Sequence, residues 1–288
     1  MSAVQKRKSV SERRACRALN QPRSTQRYTP FHKDDEKKLV KRMIALSRRH
    51  PRYGYRRIWA VLRSEGWQIN MKRVHRLWKR EGLKVPRKQH KRRRLGSSSA
   101  GSQLRRAEHI NHVWSYDFVM DQTSDGSRLK ILVIFDEYSR ESLRIVVGRS
   151  LKSHDVLDAL DQLFELRGYP TYIRSDNGPE FIAGVIVDWL EMKGVDTLFI
   201  EPGSPWENAF IESFNSRFRD ELLNREEFGS MLEARVLIED YRREYNECRP
   251  HSSLGYQTPM EYVASCVPSG SATLRLQEHS QGLQAKVT

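Results

Sequence analysis

VWSYDFVMDQTSDGSRLKILVIFD, residues 113–136, decides the fold. Residues 113–120 read as a strand, with Trp114, Tyr116 and Phe118 recurring at every second position. Asp125-Gly126 is a hairpin turn signal. Residues 129–136, LKILVIFD, are nearly all apolar, as in a strand buried on both faces. LRIVVG (143–148) gives a third strand, so three antiparallel strands come first. Downstream the period changes. Residues 154–168 form an amphipathic helix ended by Gly168, TYIRS (171–175) a short strand, and 179–194 a helix with Pro at its start and Gly at its end. DTLFI (196–200) is the fifth strand. A long helix begins near Pro205, and another spans about 231–247. The order β-β-β-α-β-α-β-α-α is that of an α/β domain, a mixed five-stranded sheet with flanking helices.

Upstream the chain changes character. Residues 96–103, GSSSAGSQ, have linker composition, and 84–94, KVPRKQHKRRR, are nearly all basic. Residues 34–50 read as a helix with acids in the first turn and bases in the last. Gly54 opens a helix carrying Ile58, Trp59 and Leu62 on one face, and Gly66 closes it. After Asn70 comes a second helix, with Val74, Leu77 and Trp78 on one side and Lys72, Arg73, Arg76, Lys79 and Arg80 around the other. Two short helices joined by a tight Gly-containing turn, the second strongly basic, suggest a helix-turn-helix. The bland alternative is a small helical bundle with a solvated face. In residues 1–30, Ser11 caps a short helix that Pro22 and Pro30 confine. The resulting partition is a basic segment (1–30), a small all-α helix-turn-helix domain (31–95), a linker (96–108), a catalytic core (109–265) and a tail (266–288).

The charge divides the same way. Residues 1–106 hold 33 Lys and Arg against 6 Asp and Glu, whereas residues 107–288 hold 18 against 30. A basic front of this density is the footprint expected for a polyanion, most simply DNA. The three cysteines, Cys16, Cys248 and Cys266, form no CxxC pair, so neither a disulfide framework nor a thiolate zinc site is indicated. No apolar run reaches the roughly 18–20 residues of a membrane span, and the basic N-terminus lacks the hydrophobic segment of a secretory signal. These features predict a cytoplasmic protein with no membrane partner.

Three acids sit where chemistry could use them. Asp117 lies mid-strand, where a carboxylate is costly unless paired, metal-bound or solvated. Asp176 follows a strand end, the usual ligand-binding edge of an α/β sheet. Glu212 shares a helix face with Asn208, Asn215 and Arg219, while Phe210, Phe214, Phe218 and Leu222 form the packing stripe. Converging carboxylates repel, and a hard divalent cation removes the repulsion. With 36 Asp and Glu in the chain, Asp121, Asp136, Asp155 and Asp188 compete on these grounds.

At these residues the sequence resembles the orfB-encoded transposases of the IS-3 family of bacterial insertion sequences, within the integrase-like DDE superfamily. The motifs are HVWSYDFV around Asp117, RSDNGPEF around Asp176 and ENAFIESFNSRFRDE around Glu212, with 35 residues between the last two acids. RRACRALNQPRSTQRY (13–28), YGYRRIWAVLRSEGW (53–67) and RPHSSLGYQTPMEY (249–262) are also family-like. The resemblance implies a ribonuclease-H-like core. It implies Asp117, Asp176 and Glu212 as catalytic ligands of Mg²⁺ or Mn²⁺, two ions in all, cleavage at element ends, and strand transfer by a 3′-hydroxyl through a circular intermediate. It places Arg219 at the family's basic position seven residues after the Glu and Asn177-Gly178 in the loop beside the metal, and Asn177, Asn208, Asn215 and Arg219 become candidate DNA contacts. The partners implied are element-end and target DNA, an orfA product or orfA–orfB fusion, and further copies of the chain on DNA. His109 and His112 form an HxxH without a CxxC, so no zinc module is expected. A nuclease on the same fold and a non-catalytic DNA-binding derivative are the rival readings.

Overall fold

The computed structural model describes residues 11–28, 34–86, 106–175, 184–200 and 208–266. They fall into two compact units, one up to Leu46 and one from Ser47 onward. In the first, α1 (Glu12–Ala18) is capped by the Ser11 hydroxyl, which accepts from the Arg14 amide. The Glu12 carboxylate accepts hydrogen bonds from Nε and Nη2 of Arg27 on α2 (Arg23–Arg27). α3 (Glu36–Arg49) buries Leu39, Met43 and Leu46, the 4,3 spacing of one helix face.

The second unit begins with the helix-turn-helix pair. α4 (Tyr55–Ser64) ends at Gly66, whose φ of +89° only glycine adopts without strain. α5 (Met71–Arg80) starts at Asn70, whose side chain accepts from the Lys72 amide at 2.8 Å. Ile58 and Leu62 of α4 and Val74, Leu77 and Trp78 of α5 are buried, and the Trp59 indole donates to the Ile69 carbonyl between the helices.

β1 (Val113–Gln122), β2 (Arg128–Asp136) and β3 (Ser142–Gly148) form the antiparallel meander. Asp125 takes the Thr123 and Ser127 hydroxyls and the Ser127 amide at the hairpin, which hold its carboxyl down to about 2. α6 (Ser153–Arg167) leads to β4 (Tyr172–Ser175), and α7 (Gly184–Met192) to β5 (Asp196–Phe199); both strands run parallel to β1. The sheet order is β3-β2-β1-β4-β5. α8 (Ala209–Phe218) runs into a single wide turn, Arg219–Leu223, and α9 (Met231–Glu247) follows. A 3₁₀ turn at Ser252–Leu254 and α10 (Pro259–Cys266) end the described chain.

Strand alternation sorts the core into two layers. Trp114, Tyr116, Leu132 and Ile134 pack with Leu160, Phe164, Ile186 and Leu190 of α6 and α7. Val119, Ile131, Val133 and Phe135 pack with Ile211, Phe214, Phe218, Ile238 and Tyr245 of α8 and α9. The mixed five-stranded sheet expected from sequence is therefore present, with helices on both faces. The first residues read as the 179–194 helix and the start of the helix near Pro205 lie outside the described residues. On α8 the fully buried stripe is Ile211, Phe214 and Phe218, continued by Leu222 in the wide turn, whereas Phe210 is half-buried beneath the Arg140 guanidinium, 3.8 Å from its ring centre. Among the described residues no helix is long and apolar enough to cross a membrane.

Candidate active site

Asp117 sits in the middle of β1, opposite Val133 of β2. Its neighbours Trp114, Tyr116 and Phe118 belong to the α6–α7 layer, so by strand alternation its carboxylate belongs to the face that α8 covers. The group is half-buried and both oxygens are engaged. Oδ1 accepts from the Phe118 amide and Oδ2 from the Asn215 side-chain amide, each at 2.7 Å. One turn further on, Arg219, just past the end of α8, donates to the Met120 carbonyl at 3.1 Å. α8 is thus fastened along β1 at two points.

Glu212 lies one turn before Asn215 on the same face and is exposed. The helix that grips Asp117 therefore carries Glu212 just beyond the grip. Asn208 immediately precedes α8 and is buried. The Asn215 Oδ1 is buried without a hydrogen-bond partner among the described residues. Carboxylates and amide oxygens are the donor types that a hard divalent cation such as Mg²⁺ prefers. Asp176 and Asn177 lie outside the described residues. β4 reaches Ser175, one residue beyond Arg174, which is in register with Ser115 of β1. Among the described residues no three His, Cys, Asp or Glu side chains gather as a ligand set.

Two of the competing acids, Asp136 and Asp155, have structural occupations. Asp136 is fully buried and accepts from the Asn111, Tyr138 and Ser139 amides, so it holds the turn after β2. Asp155 accepts from the Lys152 amide at the start of α6. Asp121 accepts from the next amide, that of Gln122, and Asp188 is exposed.

A buried network beneath the site was not visible in the sequence. Glu137 pairs with Arg174 at 3.0 Å and accepts from the Ser115 hydroxyl. Burial pushes the Glu137 carboxyl up, and Arg174 opposes the shift. It lies on the strands that carry Asp117 and lead to Asp176. On α5, Lys72, Arg76, Lys79 and Arg80 are exposed and Arg73 is half-buried; Arg80 Nε donates to Glu81 at 2.9 Å. The His109 and His112 rings stack with centroids 4.5 Å apart.

The chain matches the integrase core domain family over residues 107–205 and again over 193–259, and an HTH-like domain family over 33–94. It is 40% identical over 278 residues to the uncharacterized 31.7 kDa protein of insertion element IS407 from Burkholderia multivorans, covering 96% of this chain and 99% of that one. The chain belongs to the IS-3 family of insertion-sequence transposases. The uncharacterized 39.2 kDa protein of element IS476 from Xanthomonas euvesicatoria is also 40% identical, over 89% of this chain and 73% of its own. The InsD transposase of IS2 from Escherichia coli is 29% identical over 79% of each chain. The magnesium complex of the HTLV-2 integrase catalytic core, at 17% identity, covers 55% of this chain and 99% of its own with a TM-score of 0.44. The family accounts for an integrase core behind a helix-turn-helix, and the ribonuclease-H-like strand order of this transposase agrees with it.

Proposed function

We propose that this protein cuts DNA at the ends of its insertion sequence and joins the freed 3′-hydroxyl to target DNA. The observation that carries this reading is the fastening of Asp117 to Asn215, on the helix that bears Glu212. Asp117, Asp176 and Glu212 would hold Mg²⁺, with Mn²⁺ as a substitute and two ions in all. When bound, such ions lower the cost of the attacking and leaving oxygens in an in-line displacement.

The protein's own contribution is orientation. Asn215 fixes the rotation of the Asp117 carboxylate, so one oxygen is held toward α8. Arg219 is exposed, directional and cationic, suited to a phosphate oxygen of the bound end. Asn177 and Asn208 would be further DNA contacts. The outer face of α5, with Lys72, Arg73, Arg76, Lys79 and Arg80, would neutralise phosphates of the element end. The division of labour is that of the basic segment 1–30, the helix-turn-helix 31–95, the linker 96–108, the core 109–265 and the tail 266–288. Element ends and target DNA are the partners, together with an orfA product and further copies of the chain, in the cytoplasm at the nucleoid.

The test supplies a labelled element end bearing a free 3′-hydroxyl, a supercoiled target and Mg²⁺. Joined product that a chelator abolishes is expected. Cutting of an RNA–DNA hybrid without joining would favour a nuclease, and binding without chemistry a non-catalytic DNA-binding protein.

A further inference from the structure

Glu221 is buried in the wide turn that continues α8, three residues after Phe218 and nine after Glu212. A carboxylate there must be paired. It is paired by Arg249, from the RPHSSLGY stretch: Nε donates to Oε2 at 2.7 Å and Nη2 to Oε1 at 2.8 Å. The remaining Arg249 arm, Nη1, lies 3.3 Å from His251 Nε2, and the guanidinium covers the Tyr245 ring. This is a two-pronged fork stacked on an aromatic face, a geometry that lysine cannot reproduce.

The backbone at Glu221 is also specialised. Residues Arg219–Leu223 form a wide turn in which the Asn224 amide reaches back five residues to the Arg219 carbonyl. Such turns are rare and fall frequently at functional sites. Here the turn buries Glu221, Leu222 and Leu223 consecutively. Its two acids each take an arginine, one from the stretch before α4 and one from α4 itself. Arg52 forks onto Asp220, and Arg57 Nη1 donates to Glu221 Oε1 at 3.2 Å. The end of α8 is thus held from two sides, by the chain after α9 and by the first helix of the helix-turn-helix.

We propose that Arg249, acting through Glu221 and helped by Arg57, is a positioning residue that sets α8, and therefore Glu212 and Asn215, against Asp117. The assignment deepens the proposed transposase reading and rests on it. Arg249 is buried, with its fork spent on Glu221, so its effect on the site would pass through that carboxylate.

The test uses the full chain with Arg249→Lys, which keeps the charge and removes the fork, and with Arg57→Gln, which removes only the shared arm. Two quantities are read: the single-turnover strand-transfer rate constant at saturating element-end DNA, and hydrogen exchange of the amides of residues 209–218. For Arg249→Lys the rate constant should fall on the order of tenfold to a hundredfold, the cost of a small misplacement. End-DNA affinity should stay within about twofold, and exchange in α8 should rise. Arg57→Gln should move both readouts the same way by less, and it keeps the test open if Arg249→Lys does not fold. A role confined to holding the fold predicts a lower melting temperature and a smaller active fraction, with an unchanged rate constant and unchanged α8 exchange; that result overturns the proposal. If the parent protein itself joins no DNA, the functional reading fails separately, and the exchange data alone decide whether the clamp exists.

Discussion

His251 offers a stability measurement whose size follows from the structure. The ring is buried against Arg249, with Tyr245 edge-on and Arg57 and Arg140 also facing it. Burial first, and then the two arginines Arg249 and Arg57, drive its imidazole down to about 2, far below the ordinary 6.5. The native protein therefore refuses a proton that the unfolded chain accepts once the pH drops below 6.5. Stability from a neutral His251 is complete above that value and falls as the pH is lowered. One extra proton on the unfolded side gives about 1.4 kcal/mol per pH unit, so moving from pH 6.5 to 5.0 removes about 2 kcal/mol. His251→Gln keeps an acceptor for Arg249 and cannot titrate. Urea unfolding of both proteins between pH 7.5 and 5.0 isolates the effect, because Glu137 and Glu141, both pushed upward chiefly by burial, are common to the pair. The parent should lose about 2 kcal/mol more than the variant. Parallel stability curves would refute the claim that His251 is held neutral.

Two other outcomes follow from packing and charge. Phe214 is buried between Phe135, Phe218 and Tyr245 under the sheet, so Phe214→Ala should cost about 3–5 kcal/mol in urea unfolding; a loss below about 1 kcal/mol would mean that the layer is not packed as described. Lys72→Ala and Lys79→Ala, on the exposed face of α5, should each reduce the slope of log affinity against log salt for element-end DNA by about 1; an unchanged slope would remove those residues from the interface.

Local pattern carried most of the fold. The alternation around Asp117 separated its face from that of Trp114 and Tyr116, the Asp125-Gly126 pair marked the hairpin, and the faces of α4 and α5 were legible except at Trp59 and Arg73, both half-buried. The offsets 208, 212, 215 and 219 put Asn215 and Arg219 on the side that meets β1. What escaped was long-range pairing. Nothing local in RPHSSLGY announces that Arg249 forks onto Glu221, 28 positions earlier, or that Arg174 meets Glu137. The wide turn at Arg219–Leu223 has no periodic signature, and α10 lay inside a stretch recognised only by resemblance. Asp136 shows the same limit from the other side. It competed with Asp117 as a candidate acid until three backbone amides accounted for its oxygens.

The central claim is that three carboxylates act together as one metal-dependent site. Asp117→Asn, Asp176→Asn and Glu212→Gln in the full chain, assayed for joining of a precleaved element end to target in Mg²⁺, test it most directly. Each substitution should lower the rate about a thousandfold, the several kcal/mol that metal-held charge stabilisation supplies, with end-DNA binding within about twofold of the parent. Joining within tenfold of the parent by any one of the three variants would contradict the account.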